Sequence, residues 1–162
     1  MAGEDNRVYI VDTSSWIAVE SDPSQNWILY FVSKLIEARK IICPPEVWAE
    51  LKQVPRLKAW LEPMKDRHIR RIGAAEYYLA AGRVTERFPM MSAARANKEK
   101  ADQWVIAMAL YLNEPGRAKE HVVVSQEGFR KRQTIPKACA AMSVPHTDLL
   151  GMLRDEFPEE DF

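Results

Sequence analysis

Glycine is scarce and scattered in this chain. The six glycines among 162 residues, Gly3, Gly73, Gly82, Gly116, Gly128 and Gly151, never come closer than nine positions. A phosphate-cradling loop needs glycines about two to five apart, so that backbone N–H groups can approach the anion. Walker and dinucleotide-binding loops are therefore excluded. Histidine is as thin: His68, His121 and His146 lie far apart, which excludes a helix-borne HExxH zinc site, and no serine sits in a GxSxG elbow. The two cysteines, Cys43 and Cys139, make no metal spacing and fit a reducing compartment. No apolar run approaches the ~18 residues of a membrane span. The first seven residues are polar and acidic, unlike a secretory signal. The expectation is a cytoplasmic protein that does not enter a membrane. Neither sign of charge is in excess, with 23 basic and 23 acidic side chains. What these absences leave for chemistry is the carboxylates.

What is present alternates between two periodicities. Val8–Val11 is a short apolar run of the kind that forms a strand buried on both faces. A helical pattern begins at Trp16. A longer one follows over about 23–39, with Trp27, Tyr30, Phe31, Leu35 and Ala38 on one side. Ile41–Cys43 is a second strand, and Pro44-Pro45 starts a helix with Val47, Leu51 and Val54 as its stripe. Helices are expected over 74–81, 98–112 and 135–142, with strands at 122–124 and 143–146. Residues 158–162 read as an acidic tail that frays. Strands alternating with helices specify an α/β fold: a three-layer α/β/α sandwich around a mainly parallel sheet of four to five short strands. One domain is expected over residues 1–157.

In such sheets ligands gather beyond the carboxyl ends of the strands. Asp12 ends the first strand, and Glu127 lies three residues past the third. Two carboxylates facing one crevice repel unless a cation joins them. Glu50 borders the apolar stripe of its helix, and Asp102 lies in the first turn of another. Each signal alone has an ordinary structural reading: Asp12 as a helix N-cap, Glu50 as a solvated residue, Asp102 as a charge at a helix N-terminus. Jointly, on one sheet edge, they make a hard-oxygen set suited to Mg²⁺ or Mn²⁺. Two such ions about 4 Å apart can clamp the attacking and leaving oxygens of a phosphodiester.

Four blocks then carry a resemblance. VYIVDTSSWI (Val8–Ile17), PPEVWAEL (Pro44–Leu51), KADQWVIAMAL (Lys100–Leu110) and VVVSQEGF (Val122–Phe129) occur in the order found in PIN-domain nucleases. Over Val8–His146 the chain resembles the VapC-type toxin ribonucleases and an uncharacterised related branch. The resemblance implies that Asp12, Glu50 and Asp102 are the first, second and third acidic ligands. Ser14 would help to hold Asp12 or a metal-bound water. The fourth block usually reads Thr-x-Asp and here reads Ser125-Gln126-Glu127, a hydroxyl and an acid one methylene longer. The resemblance also implies an RNA substrate, a cognate antitoxin and a homodimer. The implied function is a metal-dependent endoribonuclease of a toxin–antitoxin pair. The alternative is a degenerate module of the same fold that binds RNA or a protein partner, kept open by Glu127. A haloacid-dehalogenase reading of Asp12-Thr13-Ser14 fails, because that chemistry needs a second aspartate at position 14.

Charge neutrality hides a division. Residues 65–100 carry 9 basic and 4 acidic side chains, whereas residues 138–162 carry 1 and 6. Arg130, Lys131 and Arg132 follow Glu127 directly and are placed to contact RNA phosphates without reading bases. The group Lys65, Arg67, Arg70 and Arg71 reads as a solvated face. Of the five tryptophans, Trp60 is the one expected outside the apolar stripes and open to a base.

Overall fold

A computed structural model describes residues 6–89, 101–127 and 134–162. Four short parallel strands form one sheet: β1 (Arg7–Val11), β2 (Ile41–Ile42), β3 (Glu120–Val124) and β4 (His146–Thr147), in the order β2-β1-β3-β4. The Val- and Ile-rich central strands are buried on both faces, as a helix-covered parallel sheet requires. Register places Val11 beside Val124 and Val124 beside Thr147, so three strands end level. The chain steps outward from β1 to β2, then crosses back to β3 on the other side. The switch point therefore lies between the carboxyl ends of β1 and β3.

Helices cover both faces, giving the expected three-layer sandwich. Right-handed crossovers put α1 (Thr13–Ser21) and α2 (Gln25–Glu37) on one face with α9 (Leu149–Glu156), where Phe31 of α2 meets Phe157 at 4.7 Å between ring centroids. On the other face, α6 (Ala75–Arg87) packs along α7 (Asp102–Leu112), which also meets α8 (Ile135–Ala141). Between β2 and α6 lie short helices α3 (Pro45–Glu50), α4 (Pro55–Leu61) and α5 (Lys65–His68). Proline opens α3 and α4, where its missing N–H costs nothing.

Several expectations shift. The buried face of α2 is Ile28, Phe31, Val32, Leu35 and Ile36, and Trp27 and Tyr30 stand on its exposed rim. The fourth strand starts at His146 instead of 143, because Ser143 takes a left-handed turn with φ 57°. Helix α9 was not expected. Gly151 in its first turn hides the pattern, yet a Cβ there would collide with Thr147 Oγ1. Asp148 caps it by accepting the Gly151 N–H at 2.7 Å. Nor does the chain fray at Phe162, whose ring packs 4.8 Å from Trp27 and 5.1 Å from Phe31. Trp60 is half-buried and packs against the core. Among the described residues, no helix is long and apolar enough to cross a membrane.

His68 closes α5 inside the core, with ring centroids 6.5 Å from Trp16 and 5.9 Å from Trp48. Neither ring nitrogen has a hydrogen-bond partner among the described residues. Burial pushes its pKa down to about 4 from the usual 6.5. The unfolded chain thus takes up the proton first, so the stability His68 contributes is complete above pH 6.5 and is lost as pH falls towards 4. His121, also held at about 4 by burial, acts in the same direction, and Asp12 opposes both. We expect the urea midpoint to fall between pH 7 and 4.5, and to fall less in His68→Leu, by up to about 3 kcal/mol at the acid end. Equal losses in the two proteins would assign the acid sensitivity elsewhere.

Candidate functional site

Asp12 follows β1 directly and begins α1. Its backbone N–H reaches Val124 O of β3 at 3.0 Å, which fixes the residue at the switch point. Its side chain is 3% exposed. Oδ1 accepts three hydrogen bonds, from Ser14 Oγ at 2.7 Å, Ser15 N at 3.1 Å and Ser15 Oγ at 3.2 Å. Burial nevertheless pushes its pKa up to about 6, against the lowering effect of the serine donors, and the charge of Glu127 adds to the rise. A carboxylate that is costly to ionise gains most from a nearby cation.

The hydroxyls join Asp12 to the end of β3. Ser14 Oγ donates to Asp12, accepts the Gln126 N–H at 3.0 Å, and stands 3.4 Å from Ser125 Oγ. Ser125 Oγ accepts the Glu127 N–H at 3.1 Å, and the Ser125 N–H donates to Thr147 O at 3.0 Å. Asp12, Ser14, Ser125 and Glu127 therefore form one array across the carboxyl ends of β1 and β3. Ser15 and Gln126 belong to it too, though the sequence did not single them out. Gln126 Oε1 accepts the Leu149 N–H at 2.7 Å and so receives the start of α9.

Glu50 and Asp102 both stand at the foot of α7. Glu50 Oε1 accepts the Ala101 N–H at 2.6 Å, and Asp102 occupies the first turn, half-buried. Glu127 does the same for α8, its Oε2 accepting the Ile135 N–H at 2.9 Å. Each acid is thus held at the positive end of a helix. Glu46, one turn before Glu50 on α3, is a further acid the sequence reading passed over; its four-residue spacing from Glu50 was the signal, and its charge raises the Tyr77 pKa after burial.

These donors fit a hard cation in chemistry, being carboxylates with hydroxyls between them. The hydrogen bonds to Asp12, Glu50 and Glu127 fall on one oxygen of each. Among the described residues, however, no three His, Cys, Asp or Glu side chains stand close enough to hold one ion. Arg130, Lys131 and Arg132 lie outside the described residues. Arg67, Arg70 and Arg71 are exposed as expected, but Lys65 leans over the Trp48 ring at 5.2 Å, opposite in role to a solvated charge. A shallow cavity of about 550 Å³, lined by Asn6, Asn113, Arg117, Lys119, Glu120 and Ser143 among others, sits at the amino edge of the sheet, away from the acids.

The fold is that of a PIN-like α/β/α module. The chain belongs to the family described as a domain of unknown function, DUF4411, which it matches over residues 9–158. No curated protein matches it in sequence.

Proposed function

We propose that this chain is a Mg²⁺- or Mn²⁺-dependent ribonuclease acting at the carboxyl edge of its sheet. The observation that carries the reading is the array of Asp12, Ser14, Ser125 and Glu127, which joins two strands exactly where an open α/β sheet receives a ligand. Asp12 is the central ligand, with its orientation fixed by Ser14 and Ser15. Asp102 and Glu50 supply oxygens from the foot of α7, and Glu127 adds charge from the far side. When bound, a divalent cation would activate water and offset charge on the phosphodiester. Ser14 and Ser125 orient donors and acceptors towards the scissile group. A protein that covered this crevice would act as an antitoxin.

A second reading has its own observation. Glu50 and Glu127 each spend an oxygen on a helix N-terminus, and no acidic trio lies within reach of one ion among the described residues. That favours a module of the same fold that holds RNA or a protein without cutting. Calorimetric titration with Mn²⁺ separates the two. The nuclease binds the ion in wild type and loses it in both Asp12→Asn and Asp102→Asn, and single-stranded RNA is cut only with Mn²⁺ present. Absence of any Mn²⁺ heat, with intact RNA, supports the binding module.

A further inference from the structure

Helix α6 buries Tyr77, Ala80, Ala81 and Val84 against the core, and turns Ala75, Tyr78, Leu79 and Gly82 outward. These four fall at three- and four-residue steps, one face of a helix. Leu79 is 68% exposed and Tyr78 56%, higher than the other exposed large apolar side chains among the described residues. Nothing lies within 4 Å of where a Cβ would stand on Gly82, so the face holds a hollow one turn beyond its most prominent side chain. The flank of this face carries Glu76 and Arg83, two turns apart and exposed; neither forms an ion pair among the described residues.

We propose that this face is a two-fold interface with a second copy of the chain, α6 packing antiparallel on α6. The occupant follows from the order of charges. With the axis beside Leu79, antiparallel packing keeps each flank facing its own equivalent. Glu76 of one copy then stands opposite Arg83 of the other, and the pair occurs twice. The side chain of Leu79 leans towards the amino end of its helix, into the hollow above the partner's Gly82. The two Tyr78 rings meet on the opposite flank, a placement suited to aromatic contact. A parallel two-fold would instead exchange the flanks, setting Glu76 and Arg83 of one copy against the Tyr78 flank of the other and leaving both charges unpaired. The interface is self-complementary, as two-fold contacts must be, and is independent of the cleavage reading.

One helix pair covers less than the roughly 1,200–2,000 Å² of a stable interface, so the dimer forms in the micromolar range. Sedimentation velocity from about 1 to 200 µM tests it. Wild type shifts reversibly from monomer to dimer across that range, and Leu79→Arg stays monomeric. Glu76→Arg and Arg83→Glu each weaken association at least about tenfold, whereas the two together restore it. All three positions are exposed, so the variants fold. A wild type that stays monomeric, a dimer that survives Leu79→Arg, or a double reversal that does not restore association overturns the proposal.

Discussion

Asp12→Asn is expected to make the protein more stable while it removes activity. Asparagine keeps an oxygen in place to accept from Ser14 and Ser15, and it is as good an N-cap as aspartate. It removes the charge that burial disfavours. Because the folded pKa is raised to about 6 from 3.8, the folded chain binds the proton more tightly than the unfolded one. The ionised side chain therefore costs stability as pH rises through that window, on the order of 3 kcal/mol well above pH 6. The variant should gain about that much at pH 7.5 and lose the gain below pH 4. Mn²⁺-dependent RNA cleavage should fall by roughly two to three orders of magnitude, the scale set by one charge-stabilising group. Urea unfolding at the two pH values and a cleavage time course read both halves. Unchanged cleavage ends the nuclease proposal; a loss of stability at pH 7.5 would make Asp12 a cap and no more.

The largest loss of stability is expected at the other edge of the sheet. Glu156, at the end of α9, takes Lys40 Nζ at 2.7 Å and the Tyr9 hydroxyl at 2.9 Å. Lys40 enters β2 and Tyr9 is wholly buried in β1, so one carboxylate ties the first strand, the second strand and the last helix. The Lys40 and Glu156 side chains are 15% and 8% exposed, too little for water to replace either partner. Glu156→Ala leaves a shielded ammonium without that counter-charge and a buried hydroxyl without its acceptor. The cost should be about 3 kcal/mol, near 10 °C in midpoint. Glu156→Gln, which can still accept from Tyr9, should lose less. A loss below about 0.5 kcal/mol in Glu156→Ala would put the pair among ordinary surface contacts.

The first three strands were legible because each holds a short apolar run, Val8–Val11, Ile41–Ile42 and Val122–Val124, which local chemistry alone marks; the fourth, His146–Thr147, has none. Asp12 was legible for the same reason, as the first acid after such a run. Helix α9 was not, since Gly151 lowers its propensity, and the crowding that favours glycine there depends on how the Thr147 side chain, four residues earlier, is placed once the chain has folded. Trp27 and Tyr30 misled because an apolar residue on a rim keeps the helical period of the core while contacting Phe162 and Lys34. The acids at 50, 102 and 127 could be named as candidates, and Asp102 as a charge at a helix start, but the engagement of Glu50 and Glu127 with helix starts could not. A backbone N–H left over at Ala101 or Ile135 becomes an acceptor's target only once the chain has folded.

The pairing of β1 with β3 also sets an order in time. Arg7 lies beside Glu120 and Val11 beside Val124, a separation of 113 residues along the chain. During synthesis Asp12, Glu50 and Asp102 all exist before the segment bearing Ser125 and Glu127 has been made. A nascent chain that has reached α7 holds three of the acids with only half a crevice around them. The array of hydroxyls closes only when β3 slides in beside β1, so it is completed late, in a step that joins two distant parts at once. A chain cut between α7 and β3 should accordingly yield two fragments that each lack the array and restore it when mixed.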